Sequence, residues 1–207
     1  MRSAGKLPAQ RRPRDAKCRA AIDLLIASGA AELAHASDRS LLTHLVGTAR
    51  LLLAWNAPID TVRAGLCHSI YGTNAFRKAS IAHTQRPVLQ RVIGRRAEAL
   101  VWLFSRLQRP ATLLRATHHG TTLVKQRSGR TRHLDSSALQ QLFILECANL
   151  FDQGVSMARA RQLHGHATRL PWSPSLMVRA MQRQRRDAHR ARCNALKVLR
   201  KPQTALS

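Results

Sequence analysis

Leu41-Leu42-Thr43-His44-Leu45-Val46-Gly47-Thr48-Ala49 and Ala64-Gly65-Leu66-Cys67-His68-Ser69-Ile70-Tyr71-Gly72-Thr73 decide how this chain is read. In the first stretch Leu41, Leu42, Leu45, Val46 and Ala49, followed by Leu52 and Leu53, recur at helical spacing. Ser37 or Asp38 stands where an N-cap is wanted. Asn56-Ala57-Pro58 breaks the pattern, and Pro58 suits the first turn of a new helix. That helix runs through Ile59, Val62, Leu66 and Ile70 to Gly72. Each helix carries one histidine among apolar neighbours, His44 inside the first and His68 near the end of the second.

The helical pattern extends in both directions. Ile22, Leu25 and Ile26 share a face of a helix over 15–27, which Gly29 ends. Beyond the irregular stretch 72–86, helices are predicted over 87–93, 95–107 and 110–118. Thr122-Leu123-Val124 and Thr131-Arg132-His133-Leu134 flank a turn at Ser128-Gly129, which predicts a β-hairpin. Asp135 or Ser136 caps a further helix over 138–153. A long basic helix is predicted over 173–201, with Arg179, Arg183, Arg186 and Arg190 in one stripe. The fold class is therefore mainly α with one small hairpin. Three regions follow: a basic arm (1–17), a helical domain (18–154) and a basic helical extension (155–207).

Three segments on successive helices bring histidines and a carboxylate into one layout: the two opening stretches and Glu146-Cys147-Ala148-Asn149-Leu150-Phe151-Asp152-Gln153. Over about residues 37–153 this layout resembles the HD superfamily of helical-bundle phosphohydrolases. The first two segments are similar to the hydrolase domain of stringent-response guanosine tetraphosphate enzymes, and Val92 to Val101 resembles the helix that follows there. The H-L-x-G-T and A-G-L-x-H-S-I-Y-G-T forms look closer to an uncharacterised family of HD-like domains. The resemblance implies a divalent metal held by His44, His68 and Asp152, and a small phosphorylated or nucleotide substrate touched by Arg39, Thr73 and Asn149. Imidazole and carboxylate suit such metals, and the metal activates water against a phosphoester. The chain departs from that pattern at Ser69, which stands where an Asp belongs. Gly72 and Thr73 lie near the acidic pair's place, and Asn149 aligns with the last metal-binding Asp.

Three readings of the site follow. One is an altered metal centre, with His83, His118 or His119 as further donors. Another is a metal-free pocket in which His68, Ser69 and Tyr71 act directly, His68 as general base near neutral pH. The third is a structural set of hydrogen-bonded core histidines. The pairs His118-His119 and His164-Gly165-His166 have no carboxylate or thiolate at ligand-like spacing, and alone they read as exposed histidines.

Composition bounds the rest. The 207 residues are 44% hydrophobic, enough for one sizeable core. No apolar run is long enough to span a bilayer. The cysteines Cys18, Cys67, Cys147 and Cys193 are far apart, which suits buried thiols in a reducing cytoplasm. Lys and Arg number 35 against 10 Asp and Glu, a net charge of +25, with the surplus densest at the ends. Such charge attracts polyanions. The alternative function is accordingly a non-catalytic module that holds a nucleotide, or grips nucleic acid through the basic ends. Aromatic residues make up only 4%, too few for a single-strand stacking platform.

Overall fold

The computed structural model describes residues 15–35, 39–72, 80–155, 162–163 and 165–166. The arm before Asp15, Ser37, Asp38, Thr73 and the helix predicted over 173–201 lie outside the described residues.

The described chain is mainly helical, as the apolar periodicity predicts. Helix α1 (Ala16–Ala27) starts at Asp15, whose carboxylate accepts from Cys18 N. Gly29, at φ +76°, turns the chain away at its end. Two short strands, β1 (Ala34–His35) and β2 (Arg39–Ser40), pair antiparallel before α2 (Leu41–Ala54). The cap of α2 is Ser40, not Ser37 or Asp38: its Oγ accepts from Thr43 N at 3.2 Å. The strand pair holds the backbone extended up to that residue, so the helix cannot start earlier.

Helix α3 (Ile59–Cys67) is shorter than its apolar spacing suggests. It gives way at His68 to tight turns closed by Ile70 N to Cys67 O and Gly72 N to Ser69 O. Helices α4 (Arg86–Ile93), α5 (Arg95–Arg106) and α6 (Ala111–His119) follow. The predicted hairpin is present as β3 (Leu123–Lys125) and β4 (Thr131–His133), in register Leu123 to His133. Helix α7 (Ser136–Asp152) is capped by Asp135 through Ala138 N at 2.7 Å.

Helix α2 packs against both α3 and α7, and α3 also meets α1 and α5. One apolar cluster joins them, with Trp55, Phe104, Phe143, Leu45, Leu52 and Leu66 among its buried members. Burying a side chain of this size contributes about 1.5–3 kcal/mol. Two glycines let the three central helices close up. A Cβ on Gly65 would lie 2.5 Å from Leu52 Cδ1, and one on Gly47 would lie 1.9 Å from Asp152 Oδ1. The second contact sets α7 against α2 at the height of His44.

No helix among the described residues is long and apolar enough to cross a membrane.

Candidate functional site

Helices α2, α3 and α7 each bring one polar group into their shared interior. His44 comes from the second turn of α2, His68 from the C-cap of α3, and Asn149 from the last turns of α7. Both imidazoles are 1% exposed, and their rings meet edge to face with centroids 5.1 Å apart. His44 Nε2 lies 3.2 Å from His68 Nε2 and 3.1 Å from Asn149 Oδ1.

The far side of each ring fixes its orientation. His44 Nδ1–H donates to Asp152 Oδ2 at 2.7 Å, and His68 Nδ1–H donates to the Gly65 carbonyl at 2.8 Å. Both protons are thereby assigned to Nδ1, so in neutral rings each Nε2 is a lone pair. Asn149 Oδ1 already accepts from Gln153 Nε2 at 3.2 Å. Neutral rings would therefore bring three acceptors together around His44 Nε2. An extra proton on one ring, or a metal ion, would make these contacts attractive.

The donor set fits a divalent metal in part. Neighbouring donors around a tetrahedral ion with bonds of about 2.0–2.1 Å stand about 3.3 Å apart, close to the separations here. Metal-binding histidines commonly donate their other N–H to a carboxylate or a backbone carbonyl, and these two rings have one of each. The fit is incomplete, because Asn149 is a weak neutral ligand. Among the described residues no group of three or more His, Cys, Asp or Glu side chains is arranged to hold a metal.

Asp152, read as a metal ligand, lies at the other edge of the His44 ring. Its carboxylate grips the Nδ1 edge of His44, on the opposite side of the ring from His68. The missing Cβ of Gly47 makes room for it there. Arg39 also engages it, Nη1 donating to the Asp152 carbonyl at 2.9 Å and Nη2 lying 3.2 Å from Oδ2. Burial opposes the ionised form of Asp152, but the bonds from His44 and Arg39 outweigh it and hold the carboxyl below its ordinary value. Arg39, read as a substrate-binding residue, thus spends its guanidinium on Asp152.

Tyr71 also departs from its predicted role. Its hydroxyl donates to Glu98 Oε1 at 3.0 Å, and burial together with the Glu98 charge pushes its pKa up. It belongs to a separate knot. There Arg86 donates to both Glu98 oxygens, at 2.6 and 2.9 Å, and Gln90 donates to Oε2 at 2.9 Å. Ser69 is buried in the turn after His68, where its carbonyl accepts from Gly72 N. His83 packs against Trp102 at 4.9 Å and Tyr71 at 5.8 Å. His118 and His119 sit at the exposed end of α6, with His166 beside His118 at 5.8 Å. Cys67, next to His68 in sequence, is a buried thiol pushed up to about 12 by desolvation, so it is a poor ligand as it stands.

Three residues near the site escaped sequence reasoning. Gly47, one turn after His44, admits the Asp152 carboxylate. Phe104 packs its ring edge to face on His68 at 5.4 Å. Arg109 lies over the Phe104 ring, 3.6 Å from its centroid, and pairs with buried Glu146 on α7. Glu146, Asn149 and Asp152 recur every three residues on a helix that is otherwise apolar inside, and that spacing was visible in the sequence.

Residues 24–109 match a family model described as "Domain of unknown function (DUF6817)", which spans α2 to α5 and includes His44 and His68. No curated protein and no solved structure matches the chain.

Proposed function

We propose that this chain is an HD-like domain with an altered divalent metal centre at His44 and His68, serving phosphohydrolase-type chemistry on a small phosphorylated or nucleotide substrate. The observation that carries this reading is the pair of Nε2 atoms 3.2 Å apart, each ring held by an oxygen acceptor on its distal nitrogen. His44 and His68 would hold the metal, with Asn149 beside them. When bound, such an ion polarises a phosphoryl oxygen and acidifies a coordinated water.

The protein's own groups prepare for an anion. Asp152 is shared between Arg39 and the Nδ1 edge of His44, and among the described residues no carboxylate makes a hydrogen bond to either Nε2 atom. That balance favours a phosphoryl oxygen as the ligand that completes the site. Asn149 holds its carbonyl oxygen toward the histidines through Gln153. Phe104 covers one side of His68 and limits water there.

A second reading is a non-catalytic ligand holder. The displacement of Asp152 from the Nε2 side of His44 favours it, because no described carboxylate then bonds the Nε2 atoms as a general base would. Phosphate release from a panel of nucleotides, with manganese added or chelated, separates the two. The catalytic reading predicts metal-dependent turnover that His68→Gln abolishes. Ligand-induced stabilisation without turnover would leave the second reading.

A further inference from the structure

Of the eight acids among the described residues, five are held by arginines, and Asp23, Glu32 and Asp135 are exposed. Asp15 and Asp60 both pair with Arg63, Glu98 with Arg86, Glu146 with Arg109, and Asp152 with Arg39. Asp135 caps α7. From residue 99 to residue 134 the chain has no acid at all. The β3–β4 hairpin lies within that stretch, and Lys125, Arg127, Arg130 and Arg132 are all exposed on it. None of these four is in an ion pair with a described carboxylate.

The hairpin is firmly rooted. Val124 is buried beneath it. Lys125 N donates to Thr112 Oγ1 at 2.6 Å, Gln108 N to Lys125 O at 3.0 Å, and Arg127 N to Arg106 O at 2.7 Å. The last bond joins the turn to the end of α5, where exposed Arg106 continues the basic surface. The cations therefore stand on a fixed ribbon, Lys125 on β3, Arg132 on β4 and Arg127 and Arg130 in the turn between them.

We infer that this hairpin is a docking surface for the sugar–phosphate backbone of a nucleic acid, separate from the histidine site. Three of its four cations are arginines, whose planar fork matches phosphate oxygens in pairs. A two-stranded ribbon is also narrow enough to lie along a nucleic-acid groove. A lipid surface fits less well. A membrane-lying element needs an apolar face, whereas the turn from Gln126 to Arg130 is polar throughout and Leu123 is the hairpin's one exposed large apolar side chain.

The test uses the full chain and fluorescently labelled duplex DNA and RNA, with anisotropy read across a salt series. A quadruple variant, Lys125→Gln with Arg127→Gln, Arg130→Gln and Arg132→Gln, removes the hairpin's charge. A control variant removes the same charge from the exposed residues Lys17, Arg19, Arg91 and Arg95. The hairpin variant is expected to bind at least about tenfold more weakly, with the log–log salt slope flattened by about 2 to 4. Its unfolding temperature should fall by only a few degrees, because all four residues are exposed and the substitutions remove one hydrogen bond, from Arg127 Nη1 to Ser105 O. Equal losses in both variants would overturn the proposal by showing that total charge alone drives binding. So would unchanged binding in the hairpin variant, or binding to anionic phosphatidylserine vesicles with none to nucleic acid.

Discussion

Two buried polar clusters sit a short distance apart in the sequence and are resolved in opposite ways. Around Glu98 the donors and acceptors balance: Arg86, Gln90 and Tyr71 supply four hydrogen bonds to one carboxylate. Around His44 the arrangement is different. Asp152 takes the Nδ1 proton, and the remaining nitrogen faces a second imidazole and an amide oxygen. A balanced cluster is complete without further help and holds α4, α5 and the turn at Tyr71 together. The histidine cluster instead places a second ring nitrogen and an amide oxygen within 3.2 Å of His44 Nε2, a grouping that suits a cation. The difference separates a structural knot from a candidate site, although Glu98 is as hidden from solvent as the two histidines.

Breaking the knot should have the largest effect on stability. Glu98→Ala leaves Arg86, Gln90 and Tyr71 facing a void, and removing one partner of a buried pair costs about 3–5 kcal/mol. Thermal unfolding should shift down by about 10 °C or more. Metal content per folded molecule should not change. Gly47→Ala is expected to cost about 1–3 kcal/mol by forcing its new methyl group into the Asp152 carboxylate. In a double-mutant cycle, Asp152→Ala should relieve at least about 1 kcal/mol of that cost. Simple additivity would mean that the close approach of α2 and α7 is not what Gly47 provides.

Asp152→Asn sharpens the comparison from the side of the site. The substitution keeps the shape but weakens the grip on His44 Nδ1. It should lower metal affinity about 10- to 100-fold, as expected for a residue that orients a ligand without touching the metal. An unchanged affinity would argue that His44 is oriented by packing alone.

The smallest effect concerns Asp15, which caps α1 and pairs with Arg63. The Arg63 bonds, opposed by burial and aided by Cys18 N, hold its carboxyl at about 2, below the usual 3.8. A depressed carboxyl stabilises the fold fully above its unfolded value and loses that contribution as pH falls through the folded one. The gap in unfolding temperature between the wild type and Asp15→Asn should be constant above about pH 5 and should close near pH 2. Asparagine keeps the cap, so the gap reports charge, and at a partly exposed pair it should not exceed about 1 kcal/mol.

The periodic parts of this molecule were legible in its sequence. Apolar spacing located the described helices, and Ser128-Gly129 located the hairpin. His44 and His68 were singled out as histidines on apolar faces, and the structure joins them. The misplacements share one physical cause, namely that tertiary contacts reassign short-range signals. Ser40 caps α2 because the β1–β2 pair delays the helix. Tyr71 follows the tight turns after Cys67 toward Glu98 rather than staying beside His68. Asp152 shares a helix face with Asn149, but three residues advance about 4.5 Å along the axis. That advance carries its carboxylate past Nε2 to the far edge of the ring. Gly47 was the available clue, since a glycine one turn from a buried histidine marks space for another group.

The most direct test of the metal centre is elemental analysis of the purified full chain beside a His44→Gln/His68→Gln double variant, both checked for folding by circular dichroism. The account predicts close to one manganese, iron, zinc or nickel ion per wild-type chain, lost in the folded variant. A folded wild type that neither carries nor takes up these metals would contradict it, and so would a variant that retains them.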